Sequence, residues 1–143
     1  MIEAGDIVCG KLQEGGYFGE PSTPGRYLSA ILDLLCGELN LERFRAGGVN
    51  PFSLTEQPAP GVRVHRLAEV STQARLESPC WVGPGAKVAE GATIGPGAAL
   101  ESGATVGFGA KVVESVVWPN TEIDKGEDLF RVIATDSDRV LVD

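Results

Sequence analysis

Five consecutive hexads decide the fold: Val82-Gly-Pro-Gly-Ala-Lys87, Val88-Ala-Glu-Gly-Ala-Thr93, Ile94-Gly-Pro-Gly-Ala-Ala99, Leu100-Glu-Ser-Gly-Ala-Thr105 and Val106-Gly-Phe-Gly-Ala-Lys111. Each opens on a large aliphatic residue and carries glycine in fourth place and alanine in fifth. Followed outward, the aliphatic register runs unbroken from Val64 through Val70 and Leu76 to Val112. A row of small residues accompanies it: Ala68, Ala74, Cys80, then the alanines to Ala110. A fixed period sustained over so many units signals a repeat architecture.

A period of six is not helical, because a helical stripe recurs near every 3.6 residues. It is a multiple of two, as a strand requires. Each hexad is therefore predicted to be a short strand followed by a turn, with Pro84-Gly85 and Pro96-Gly97 as turn dipeptides. The large aliphatic points inward. The residue four places later also points inward, where only a small side chain fits. Coils built this way stack as parallel strands about 4.8 Å apart.

The pattern resembles the hexapeptide-repeat family, and Val82–Lys87 and Ile94–Ala99 match its consensus well. The resemblance implies a left-handed parallel β-helix with three hexads per triangular turn. The left hand comes from the resemblance alone, since crossovers are ordinarily right-handed. The predicted coils are Val64–Trp81, Val82–Ala99 and Leu100–Val116. The third is one residue short, because the register then moves to Val117, Ile123 and Leu129. A fourth, weaker coil runs from Val117 to Ala134, with Glu127 where a small inward residue is expected. The fold class is thus mainly β: about four coils, preceded by a short hairpin and one α-helix.

The chain has 143 residues and a formal net charge of −8. That balance argues against nucleic acid or an anionic membrane as partner. No apolar run approaches the roughly 20 residues of a membrane span, and Met1 to Lys11 lacks the basic lead and apolar block of a signal peptide. Cys9, Cys36 and Cys80 form neither a disulfide framework nor a zinc pattern. Cys80 lies on the small inward row and is expected to be a buried free thiol. A cytoplasmic setting fits these features.

Two short strands are predicted at Asp6–Leu12 and Gly16–Phe18. Thr23 before Pro24 makes a helix start, Tyr27, Leu28, Ile31, Leu34 and Leu35 share one face, and Gly37 is a stop. The helix is placed at Pro24 to Cys36, in position to cover the open end of the prism. Residues 39–60 read as a connecting segment, with Leu41, Phe44, Val49, Phe52 and Leu54 able to lie against the first coil. The domain division is 1–38, 39–60 and 61–143, with a final strand expected at Arg139 to Val142.

Residues 17–30, Tyr17-Phe-Gly-Glu-Pro-Ser-Thr-Pro-Gly-Arg-Tyr-Leu-Ser-Ala30, resemble the segment that closes the catalytic domain of sugar-phosphate nucleotidyltransferases, Tyr-Trp-x-Asp-Ile-Gly-Thr-Pro-x-x-Tyr-Leu-x-Ala. Thr23, Pro24, Tyr27, Leu28 and Ala30 match. Phe18 replaces Trp, Pro21 replaces Ile and Ser22 replaces Gly. In mannose-1-phosphate guanylyltransferase-like members a helix, a linker and a left-handed β-helix follow, in the order seen here. Ser115-Val-Val-Trp118 also resembles their β-helix. The resemblance implies that Glu20 stands where the family has an Asp ligand of the catalytic magnesium. The family's Gly-rich phosphate loop has no counterpart in this sequence. The expectation is therefore a C-terminal portion lacking the nucleotide-binding domain, without catalytic or cofactor-binding residues of its own, homo-oligomeric, and dependent on magnesium only within a complete parent enzyme.

Other candidates carry two readings each. His65, the single histidine, is a general base if the chain is a stand-alone acyltransferase using acyl-coenzyme A; otherwise it is a surface residue. One histidine cannot supply the three zinc ligands of hexapeptide-repeat carbonic anhydrases. Trp81 and Trp118 sit beside inward positions and mark either a subunit contact or cover by the helix. Arg43, Arg45, Arg63 and Arg66 form a loose basic cluster able to meet a phosphate or to pair with nearby Glu.

Overall fold

The computed structural model describes residues 20–37 and 54–143. The predicted strands Asp6–Leu12 and Gly16–Phe18 lie outside these residues. Helix α1 (Pro24–Cys36) is followed by strands β1 (Thr55–Ala59), β2 (Val62–His65), β3 (Glu69–Val70), β4 (Arg75–Leu76), β5 (Cys80–Val82), β6 (Lys87–Val88), β7 (Thr93–Ile94), β8 (Ala98–Leu100), β9 (Thr105–Val106), β10 (Lys111–Val113), β11 (Val116–Val117), β12 (Glu122–Ile123), β13 (Asp128–Phe130), β14 (Val132–Ala134) and β15 (Arg139–Leu141).

The hexads form the expected left-handed parallel β-helix of about four coils. Face A stacks β2, β5, β8, β11 and β14 in parallel; face B stacks β3, β6, β9 and β12; face C stacks β4, β7, β10 and β13. β1 pairs antiparallel with β2, and β15 antiparallel with β14, so a hairpin closes each edge of face A. β1 occupies residues that the sequence reads as the end of the connecting segment.

The inward rows match the sequence. Val82, Ile94, Leu100, Val106, Val112, Val117 and Ile123 are fully buried, as are Cys80, Ala86, Ala92, Ala98, Ala104 and Ala110. One large and one small side chain per hexad fill the tube. Burial and, secondarily, Glu77 push the Cys80 thiol up to about 11, so it is the inert buried thiol expected.

Stacking first advances by eighteen residues, as in Val64 on Val82 on Leu100. It then advances by seventeen, as in Leu100 on Val117 on Ala134. The missing residues are lost at the corner between faces C and A. Gly97 turns that corner with φ 71° in the second coil; Glu114 and Arg131 turn it in the shorter later versions at φ 43° and 53°. Left-handed φ costs a non-glycine residue about 1 kcal/mol. Ser115 takes the small inward place at the shortened corner. Its hydroxyl donates to the Val113 carbonyl at 2.7 Å and accepts from the Val132 N–H at 3.0 Å, so the buried group is satisfied.

Glu127, a misfit by sequence, belongs to the last coil, where no further coil covers it. Its Oε2 accepts from the Asp124 N–H at 2.9 Å, and its Oε1 accepts from Arg139 Nε at 2.7 Å. Arg139 also donates to the carbonyls of Glu122, at 2.8 Å, and Thr135, at 2.7 Å. One guanidinium from β15 thus closes the tube end, meeting backbone acceptors at the end of the stack.

The Arg139 guanidinium, helped by the Asp124 N–H, holds the Glu127 carboxyl below the usual carboxylate range, against the opposing effect of partial burial. A lowered folded pKa means that the ionised form stabilises the fold. The contribution is complete above the ordinary Glu value of about 4.3 and is lost as pH falls through the lower folded value. The melting-temperature gap between the native chain and Glu127→Gln should therefore be widest near neutral pH and narrow below about pH 4. A gap that widens on acidification contradicts this account of the end.

Candidate functional site

Each short strand places one residue outward beside its inward neighbours, and stacking turns these into ladders. Face B carries Glu69, Lys87, Thr105 and Glu122; face C carries Arg75, Thr93, Lys111 and Asp128. Both are polar and need no cover. Lys87 lies 3.6 Å from Glu69 and Lys111 lies 4.0 Å from Asp128, as exposed pairs that contribute little to stability. Face A carries Arg63, Trp81, Ala99, Val116 and Ile133. It is the one apolar ladder and must be covered.

α1 covers it. The helix has the predicted bounds: Thr23 Oγ1 accepts from the Arg26 N–H at 3.3 Å, Pro24 opens the first turn, and Gly37 closes the end at φ 81°. Leu28, only 2% exposed, packs with Tyr27, Ile31, Leu32 and Leu35 against Trp81, Ala99, Val116, Ile133 and Val142. The expected berth over the open end of the prism is therefore corrected: the apolar stripe of α1 matches the flank of face A, and the ends of that face belong to β1 and β15. Leu32 Cδ2 of the helix reaches within 2.9 Å of where a Cβ on Gly97 would stand, a methyl that can shift, so glycine is favoured here by the left-handed φ of 71°.

At the first turn of α1 the helix and face A part to leave a cleft of about 340 Å³. Its walls are Pro21, Pro24, Tyr27, Trp118, Ile133 and Val140, with Ser22, Thr23 and Thr135 as the polar lining. Trp118 follows the inward Val117 and stacks between Glu101 and Thr135, the residues that follow the inward Leu100 and Ala134. The rings of Tyr27 and Trp118 are nearly perpendicular, at 76° with centroids 6.4 Å apart. Burial, then the negative charge of Glu101, raises the Tyr27 phenol above its usual value, while a hydrogen bond with Trp118 works the other way. Burial also raises Glu101. No nucleophile–base pair is found among its lining residues.

The residues singled out from sequence do not converge. Glu20 is exposed ahead of α1, 3.7 Å from Arg26. A divalent cation such as magnesium takes about six oxygen ligands, and among the described residues no three metal-binding side chains cluster. Glu20 alone does not make a metal site. His65 ends β2, and its Nδ1 accepts from the Leu67 N–H at 3.1 Å, which gives the ring a turn-capping role. Arg63 stands on face A beside Trp81, and the exposed Arg66 follows His65; Arg43 and Arg45 lie outside the described residues. Trp81 is helix-covered, whereas Trp118 remains 44% exposed in the cleft. The grouping of Tyr27, Glu101 and Trp118 is not drawn from the sequence. Its signal is the coil step itself, which stacks Glu101 and Trp118 on face A.

No family model and no curated protein matches the sequence. No helix among the described residues is long and apolar enough to cross a membrane.

Leu28→Ala should cost about 2–4 kcal/mol of stability. It should also red-shift Trp81 fluorescence, read in a Trp118→Phe background, because the helix over that indole loosens. Wild-type stability with an unshifted spectrum contradicts the assigned berth.

Proposed function

We propose that this chain is the C-terminal part of a mannose-1-phosphate guanylyltransferase-like sugar-phosphate nucleotidyltransferase, and that its β-helix is a non-catalytic domain for homo-oligomeric assembly or regulation. The observation that carries this reading is the docking of α1 on the apolar ladder of face A. Residues that carry the nucleotidyltransferase resemblance have structural posts there: Thr23 caps, Pro24 opens the first turn, and Leu28 is buried on the β-helix. The segment resembling the end of a catalytic domain is thereby built onto the repeat domain. Glu20 is exposed ahead of the helix, which would leave it open to the preceding domain of such a parent.

The parent protein would join a nucleoside triphosphate to a sugar-1-phosphate and release pyrophosphate. Magnesium would supply charge neutralisation at the phosphates. It belongs to the whole parent, because the described residues provide a single carboxylate at the matching position.

The reading frame upstream of Met1 is expected to encode a Gly-rich phosphate loop. The chain alone, given magnesium, GTP and mannose-1-phosphate, should release no pyrophosphate, and light scattering should give a multiple of 15.0 kDa. An upstream frame without such a loop contradicts the parentage, and turnover by this chain contradicts the non-catalytic role. A monomer contradicts assembly, and tight acetyl-coenzyme A binding in a calorimeter would favour an acyltransferase instead.

A further inference from the structure

The cleft at the head of α1 has a chemistry that the proposed scaffold role does not use. Its volume, about 340 Å³, falls at the lower end of the range for small-molecule sites. None of its lining residues carries a carboxylate, an ammonium or a guanidinium. One side offers aromatic and aliphatic surface. Trp118 is 44% exposed there, and the perpendicular Tyr27 ring fixes its setting. The other side is a hydroxyl rim. Thr23 Oγ1 accepts from the Arg26 N–H and Ser22 Oγ from Arg26 Nη1, both at 3.3 Å. Each hydroxyl keeps its own O–H to donate.

We propose that this cleft binds a neutral hexopyranose ring. A pyranose has a face of C–H groups and an edge of hydroxyls. The C–H face suits the indole of Trp118, whose π-surface carries negative charge density. The hydroxyl edge suits Ser22 and Thr23. A phosphate or other anion meets one guanidinium at the rim, Arg26, which is already engaged with Ser22 at 3.3 Å and with Glu20 at 3.7 Å, in a chain of net charge −8. A quaternary ammonium would gain the aromatic faces, but the carboxylate beside Trp118, Glu101, does not line the cleft. The site is independent of the proposed parentage, since it uses only geometry within this chain.

The test is saturation-transfer NMR on the whole chain with methyl α-D-mannopyranoside and D-glucose. Inorganic phosphate is followed in parallel by phosphorus linewidth, and choline by its methyl signal. A saturable response to at least one sugar is expected, together with a shift of the Trp118 indole N–H. Trp118→Ala should weaken binding at least tenfold, and Ser22→Ala, at an exposed rim position, should weaken it two- to fivefold. Both variants should keep the wild-type melting profile; if Trp118→Ala does not, Ser22→Ala and the indole shift decide. The proposal is overturned by no saturable response to either sugar, by unchanged sugar binding in both variants, or by phosphate or choline binding in preference to the sugars.

Discussion

The interior of the tube admits one large and one small side chain per hexad, and everything else in this chain accommodates that limit. Ile94 and Ala98, or Leu100 and Ala104, are the two halves of one steric rule. A large residue on the small row would overpack a lumen with no slack, and packed cores resist even one added methylene. Parallel stacking follows, because each coil must bring the same residue types over the same places. The narrow lumen also accounts for the buried thiol of Cys80 and the doubly bonded hydroxyl of Ser115. Cys80 is inert and Ser115 is paired twice, whereas the buried Thr121 Oγ1 has no hydrogen-bond partner among the described residues.

A tube that buries its core internally leaves its outer faces free to differ. Faces B and C are laddered with charge and threonine, whereas face A is laddered with Trp81, Ala99, Val116 and Ile133. That asymmetry recruits α1 and creates the cleft beside Trp118. It also divides the labour at the ends. β1 and β15 pair with the edges of face A, and Arg139 with Glu127 closes the last coil. Exposed strand edges template association, and the antiparallel pairing of β1 and β15 covers the edges of the parallel stack on face A.

The four coils were legible because the period is strict and its one-residue shift after Val112 is visible in the aliphatic row. The helix was legible because Thr23, Pro24 and Gly37 are local signals. The position of the helix was not, since the outward ladder of face A is spaced by eighteen and then seventeen residues and becomes a surface only once coils are stacked. Glu127 looked wrong by the repeat because the repeat describes interior coils, and a terminal coil obeys a different accounting of backbone partners. Tyr27 and Trp118 each stand out in the sequence, yet nothing local joins a helix residue to a corner three coils along. Function remains beyond what hexads specify, because a fold hosts many activities.

The coil register is the claim most open to direct test, by methyl–methyl nuclear Overhauser contacts between inward residues. The account predicts strong contacts for Val88 with Val106, for Val106 with Ile123 and for Val112 with Leu129, the step falling from eighteen residues to seventeen after the third coil. Absence of these contacts, or contacts among Val88, Ile94 and Leu100 at the spacing of a helix, would contradict it.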